Sequence, residues 1–167
     1  MIIKFTNYSD GIHHLEFRET AKKLNLSSDF VDDVLLNCEM DKSLGQVILS
    51  CNVTAKTRLT CDRCTQEYNQ SLQYSFKMTY LIEKERIAED GTDIHYLSPD
   101  TDKVDLHQDV SELTTLALPM KHLCDENCKG LCPICGINLN ENSCDCKNEE
   151  INPVWEPLLK LKDKLKN

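Results

Sequence analysis

Along the first eighty or so residues, apolar side chains recur at every second position, the period of a strand with one buried face. Val34, Leu36, Cys38 and Met40 alternate with mostly polar neighbours. So do Val47, Leu49, Cys51, Val53 and Ala55, in a run that continues through Leu59 to Cys61. Tyr68, Leu72, Tyr74, Phe76, Met78, Tyr80 and Ile82 fall on even positions, with Asn69, Gln73, Ser75, Lys77 and Thr79 between them. This aromatic stripe reads as core rather than as a platform for stacked bases. Ile2–Phe5 and Gly11–Phe17 read as shorter strands, Lys22–Leu26 as a helical turn and Ile94–Leu97 as one more short strand. The period then changes. Leu106, Val110, Leu113, Leu116 and Ala117 follow helical spacing, and Pro119 ends that helix. Asn152-Pro153 and Glu156-Pro157 start a final helix bearing Trp155, Leu158, Leu159, Leu161 and Leu165.

The elements add up to an α+β fold. Strands joined by tight connections predict an antiparallel sheet, able to curl into a small barrel. Short helices and a C-terminal cysteine-rich, zinc-binding segment complete it. Residues 1–118 form a β-rich domain with one amphipathic helix and an acidic loop at about 83–103. Residues 119–167 form a zinc-knuckle segment and C-terminal helix packed on the first domain.

Charge narrows the partners. The chain of 167 residues carries 28 acids against 19 Lys and Arg, a net −9. Most of the excess lies between Glu83 and Glu112. So acidic a protein is not a general nucleic-acid binder, because such binding rests on Lys and Arg displacing counterions from phosphates. Only local cations remain as candidates for phosphate or partner contact: Arg63, Lys121, Lys129, and Lys160, Lys162, Lys164 and Lys166 of the final helix. Arg63 could equally offset thiolate charge, and the lysines could simply meet a helix dipole. The opening residues lack the charged segment and apolar stretch of a secretory signal, and no apolar run approaches the roughly 20 residues of a membrane helix. A cytoplasmic protein with no membrane partner is expected.

Ten cysteines in such a chain point to metal or redox chemistry rather than disulfides. Cys38 and Cys51 sit on the apolar faces of their strands and read as buried thiols, small hydrophobes of the core. The other eight come in pairs: Cys61-x2-Cys64, Cys124-x3-Cys128, Cys132-x2-Cys135 and Cys144-x-Cys146. A C-x2-C turn converges two thiolates on one ion, and zinc takes four in a tetrahedron. Gly136, directly after Cys135, allows the positive φ that aims backbone N–H groups at the sulfurs. Two structural zinc ions are therefore expected. Cys132, Cys135, Cys144 and Cys146 make a local set, because a short loop closes at little entropic cost. That leaves Cys61, Cys64, Cys124 and Cys128 for the other. An interleaved pairing, with the C-x2-C knuckles facing each other, stays open, as does iron in place of zinc. His122, Asp125 and Asp145 lie near enough to substitute as ligands.

The chain offers no catalytic constellation. It has no HExxH, no glycine-rich phosphate cradle, no carboxylate cluster for metal-assisted phosphodiester cleavage, and no His beside a nucleophile. A non-enzymatic protein without a small-molecule substrate is expected.

Several of these residues resemble one family. Cys61-Asp-Arg-Cys64, the run from Leu118-Pro119-Met120-Lys121-His122-Leu123-Cys124 through Cys128-Lys129-Gly130-Leu131-Cys132-Pro133-Ile134-Cys135-Gly136-Ile137-Asn138-Leu139-Asn140, and Cys144-Asp145-Cys146 are similar to the YceD family of large ribosomal RNA subunit accumulation proteins. Asn152-Pro153-Val154-Trp155 looks like that family's C-terminal segment. The resemblance implies a bacterial cytosolic factor needed for 23S ribosomal RNA accumulation or processing, with the eight paired cysteines as its metal-binding set. It transfers no RNA-binding residue. The expected partner is a large-subunit precursor or 23S rRNA, met directly or through a basic ribosomal protein drawn to the acidic loop. A competing reading is a redox-responsive zinc protein, a chaperone-like or thiol-exchange module that releases metal and forms disulfides under oxidant.

Overall fold

The computed structural model describes residues 1–82 and 94–146. Two compact units divide the chain: Met1–Cys61 with Gln66–Cys124, and Asp62–Thr65 with Asp125–Asn167.

The first unit is built on one five-stranded sheet. In chain order its elements are β1 (Ile2–Ile3), a 3-10 turn (Phe5–Asn7), β2 (Gly11–Thr20), β3 (Asp33–Ser43), β4 (Gln46–Thr60), β5 (Glu67–Ile82), β6 (Ile94–Leu97), β7 (Val104–Asp105) and α1 (His107–Leu116). The sheet runs β2-β3-β4-β5-β6, while β1 and β7 pair separately. Strands β2 to β5 are antiparallel, as the short β3–β4 and β4–β5 connections favour, while β2 joins β3 through a longer segment, residues 21–32.

The period-two pattern is realised faithfully. Val34, Leu36 and Met40 of β3, and Val47, Leu49, Val53 and Ala55 of β4, are all buried, while Asn37, Glu39, Ser50 and Asn52 face outward. On β5, Leu72, Met78 and Tyr80 are buried, and Tyr74, Phe76 and Ile82 pack against the same core, so the stripe from Leu72 onward is core, while half-buried Tyr68 lies outside that cluster. Ile3, Phe5, Leu24, Val104, Leu106 and Val110 cover that face. Helix α1 is tied down by polar contacts as well. The Tyr74 hydroxyl lies 2.7 Å from Thr114 Oγ1, and Ser111 Oγ donates to the Leu24 carbonyl at 2.6 Å.

Three expectations about the sheet and its class need correction. The sheet is open, with β2 and β6 as edges, and does not form a barrel. Closure would bury one sheet face inside a cylinder, whereas here α1 and the N-terminal segment bury it as a second layer. The architecture is thus sheet-dominated, with one α-helix among the described residues, rather than plainly α+β. Strand β6 is also not antiparallel. It pairs parallel to the end of β5, with Thr79 opposite Ile94 and Ile82 opposite Leu97.

Cys38 and Cys51, expected as free core thiols, are joined by a disulfide. Both are buried as the pattern required, but register places them directly opposite on β3 and β4, with Cα atoms 4.1 Å apart. Both are equidistant from the Leu44–Gly45 turn, a symmetry that was visible in the sequence. The acidic loop's residues 83–93 and the C-terminal helix expected from Asn152 lie outside the described residues. Among the described residues no helix is long and apolar enough to cross a membrane.

Candidate metal centres

The eight paired cysteines gather into two sets. Cys61, Cys64, Cys124 and Cys128 form one, and Cys132, Cys135, Cys144 and Cys146 the other. Within each, every sulfur lies within 4.8 Å of the rest. Four sulfurs about 2.3 Å from a central zinc sit roughly 3.8 Å apart along a tetrahedron's edges, so each set fits a tetrahedral thiolate site with little adjustment. The grouping is the local one rather than the interleaved one, and neither set includes His122, Asp125 or Asp145.

Local backbone chemistry explains the geometry. Cys61-Asp62-Arg63-Cys64 is the tip of the β4–β5 hairpin, closed by the Cys61 amide donating to the Gln66 carbonyl at 2.9 Å. The second set is carried by a miniature hairpin. Leu131 bridges Asn138, the Cys132 amide donates to the Ile137 carbonyl at 2.8 Å, and the Gly136 amide donates back to the Cys132 carbonyl at 2.9 Å. Gly136 adopts φ +73°, the positive φ that the turn after Cys135 requires.

The sulfurs of the second set are electrostatically crowded. N–H groups of Cys135 and Ile134 aimed at the Cys132 sulfur draw its pKa down to about 6. Once one sulfur is a thiolate, its neighbours resist a second charge. The Cys135 thiol, followed by burial, pushes Cys146 up to about 12. Against the pull of the Cys146 amide, Cys144 is raised too, by the Cys132 thiol, by burial and by the Cys135 thiol. Four sulfurs held this close, of which one ionises readily and the next two resist it, could hold a soft cation, which would stabilise all four as thiolates.

Arg63 is placed otherwise than as a simple counter-charge. Its Nη1 donates to the Cys128 carbonyl at 2.8 Å and to the Glu126 carbonyl at 3.1 Å. Its own carbonyl accepts the Leu131 amide at 3.0 Å. Gly130 packs against that carbonyl so closely that a Cβ would lie 2.9 Å from it. Lys121 and Lys129 are exposed. Lys160 and Lys162 lie outside the described residues.

Two residues escaped the sequence reading. Asn140 donates from Nδ2 to Cys128 Sγ at 3.3 Å and accepts the Lys129 amide on Oδ1 at 2.7 Å. Asn138 Oδ1 in turn accepts the Asn140 amide at 3.0 Å and Asn140 Nδ2 at 2.9 Å. Their signals were the Asn-Leu-Asn run itself, which pattern reading assigns to a turn, and its place in the family-like run, which assigns them no role.

A family model described as large ribosomal RNA subunit accumulation protein YceD matches residues 49–162. Among curated proteins, the chain is 23% identical to the large ribosomal RNA subunit accumulation protein YCED homolog 1, chloroplastic, of Arabidopsis thaliana, over 89% of this chain and 56% of that protein. It is 24% identical to the protein of the same description from Zea mays, over 71% of this chain and 50% of that one. An uncharacterized protein of Mycobacterium bovis is 25% identical over 69% of this chain and 55% of its own length. The chain thus spans about half the length of the curated relatives it matches. No solved structure matches it significantly.

Proposed function

Because the chain belongs to the YceD family of large ribosomal RNA subunit accumulation proteins, we propose that it is a non-enzymatic factor supporting 23S rRNA accumulation and processing and large-subunit assembly in a bacterial cytoplasm. The observation that carries this reading is the family match across residues 49–162, which include both four-cysteine sets. Zinc is the proposed occupant of each set, with all eight cysteines as ligands and a structural role. Four thiolates leave no open position for water, unlike a catalytic zinc. Bound zinc would contribute its binding free energy to folding. The protein's own residues do the rest: Arg63, Gly130 and the 131–138 hairpin hold the cysteine loops in register, presenting a rigid surface. Exposed Lys121 and Lys129, together with Lys160 and Lys162, are the proposed contacts to precursor rRNA. The acidic residues from Glu83 onward suit a basic ribosomal protein instead.

Sedimentation of tagged protein from lysate at moderate salt, with and without RNase, tests the role, with each fraction probed for the protein and for 23S precursor. Co-migration with large-subunit precursors supports it, and a ribosomal-protein contact surviving RNase identifies a protein-mediated dock. The reading fails if the protein stays at the top of the gradient and its depletion leaves 23S levels and processing unchanged.

A redox-responsive zinc module is the second reading, favoured by the exposure of Cys124, Cys135 and Cys146 and by the Cys38–Cys51 bond. It requires that mild peroxide release metal and that the oxidised protein hold unfolded clients. Zinc retained under peroxide, without holdase activity, removes it.

A further inference from the structure

The two cysteine sets are separate in their ligands but not in their supports. Only Lys129, Gly130 and Leu131 separate Cys128 of the first set from Cys132 of the second. All three have their backbones fixed. The Lys129 amide donates to Asn140 Oδ1, the Gly130 carbonyl accepts the Leu139 amide at 2.9 Å, and the Leu131 amide donates to the Arg63 carbonyl. The strut between the sets therefore rests on Arg63 and on residues 139 and 140, and the latter two lie inside the loop closed by Cys135 and Cys144 of the second set.

Asn140 goes further and touches a ligand of the other set. Its Nδ2 carries two hydrogens, one directed at Cys128 Sγ and one at Asn138 Oδ1. The amide's orientation is dictated by chemistry. Reversed, it would put an NH2 group against the Lys129 N–H and an oxygen lone pair against the Cys128 sulfur, losing both bonds. An N–H donor on a thiolate ligand spreads its negative charge and orients its lone pairs, and losing such an outer partner commonly weakens metal binding 10- to 100-fold.

We propose that the two sets load with metal cooperatively, and that Asn140 is the positioning residue that couples them. The proposal rests on the metal reading above. With the second set empty, the loop from Cys135 to Cys144 is held by hydrogen bonds alone, its own and those to residues 129–132, and holding Asn140 against Cys128 costs conformational freedom. With that set filled, four sulfur–metal bonds have already ordered the loop, and Asn140 meets Cys128 at no further cost. By linkage, filling the first set must favour the second by the same factor.

Cadmium binding to the full-length chain tests this, read by ¹¹³Cd NMR, which separates the two sites, and by competition with a chelator of known affinity. Cys135→Ser disables the second set and should weaken cadmium at the first by about tenfold, within the usual range of site-to-site coupling. Asn140→Ala should weaken the first set by a similar factor. Adding Cys135→Ser to Asn140→Ala should then cost the first set little more. Asn140→Asp keeps the acceptor for the Lys129 amide but sets a carboxylate against the thiolate. It should weaken the first set at least as much as Asn140→Ala, with the sheet's circular dichroism unchanged. The proposal is overturned if Cys135→Ser leaves the first set's affinity unchanged, or if its effect persists in full beside Asn140→Ala. Two cadmium ions bound independently would remove the coupling and leave the metal sites standing. A reduced chain that takes up no cadmium at either set would remove both.

Discussion

Gly130 is where backbone conformation and packing conflict most directly with any other side chain. Its φ of +77° lies in the left-handed region, which costs an alanine about 1–2 kcal/mol. A Cβ there would also meet the Arg63 carbonyl oxygen at 2.9 Å and Arg63 Cβ at 3.3 Å. Both neighbours belong to the hairpin tip and cannot simply rotate away. The move open to them breaks the Leu131 N–H···O=C Arg63 bond, worth about 0.5–1.5 kcal/mol. Gly130→Ala should therefore cost roughly 1.5–3.5 kcal/mol locally, summing the two effects. Gly136 provides the control, since its φ is +73° but nothing lies within 4 Å of its Cβ position. Gly136→Ala should cost only the conformational part. Asparagine separates the two effects, because it tolerates the left-handed region yet still carries a Cβ. Gly136→Asn should recover most of the loss, and Gly130→Asn should not. Amide exchange in the metal-loaded chain reads this directly. The Leu131 amide should lose about 10- to 300-fold in protection in Gly130→Ala. If Gly130→Asn restores that protection as fully as Gly136→Asn restores its own neighbours', close packing on Arg63 does not limit position 130 and the reasoning fails.

Three further outcomes follow from the same geometry. Arg63→Ala removes two bonds to the Glu126 and Cys128 carbonyls and should cost about 1–3 kcal/mol of local stability, seen as faster exchange at the Cys128 amide. Unchanged exchange with lost association to large-subunit particles would place the guanidinium's role in phosphate contact instead. Thiol titration in denaturant and chelator, without reductant, should find eight reactive cysteines, rising to ten after reduction; ten at the outset would refute the Cys38–Cys51 bond. A loop of that length suggests about 3 kcal/mol of stability lost on reduction. Burial raises the pKa of Tyr74, and burial with the Asp109 charge raises that of Tyr80 above the ordinary value near 10. The folded state thus binds these protons more tightly than the unfolded one. Their stabilising contribution is complete below pH 10 and is lost as pH rises from there toward the folded-state values. Alkaline unfolding monitored by tyrosinate absorbance should show them ionising with unfolding, and Tyr80→Phe should flatten that loss; an unchanged alkaline limb would contradict the assignment.

Features with a short period or a short spacing are legible along the chain. Alternation along β3, β4 and β5 settled which side chains are buried, because a strand's side-chain period does not depend on its partners. The helix near 106–118 was legible from its own period, while the strand at Ile94–Leu97, whose burial does not alternate, was legible only from its β-branched, aromatic and aliphatic residues. The turn at Gly136 was legible too, and the short loop favoured the gathering of Cys132, Cys135, Cys144 and Cys146, which the folded geometry chose over the interleaved pairing. The tertiary structure decided what depends on distant registers. The same alternating strands are compatible with a barrel or an open sheet, and the layer of α1 over the core chose the open one. Pairing of β5 with β6 in parallel could not be read from four residues. Cys38 and Cys51 each announced burial and lie at equal distances from Leu44–Gly45, but their bond also needed the turn to fall at those two residues, which the register of β3 on β4 shows. Arg63 and Asn140 are polar side chains in turns, and sequence assigns such residues to solvent. Their partners, the Cys128 carbonyl and the Cys128 sulfur, lie 65 and 12 residues away. Directional bonds over such separations exist only once folding has set both partners in place.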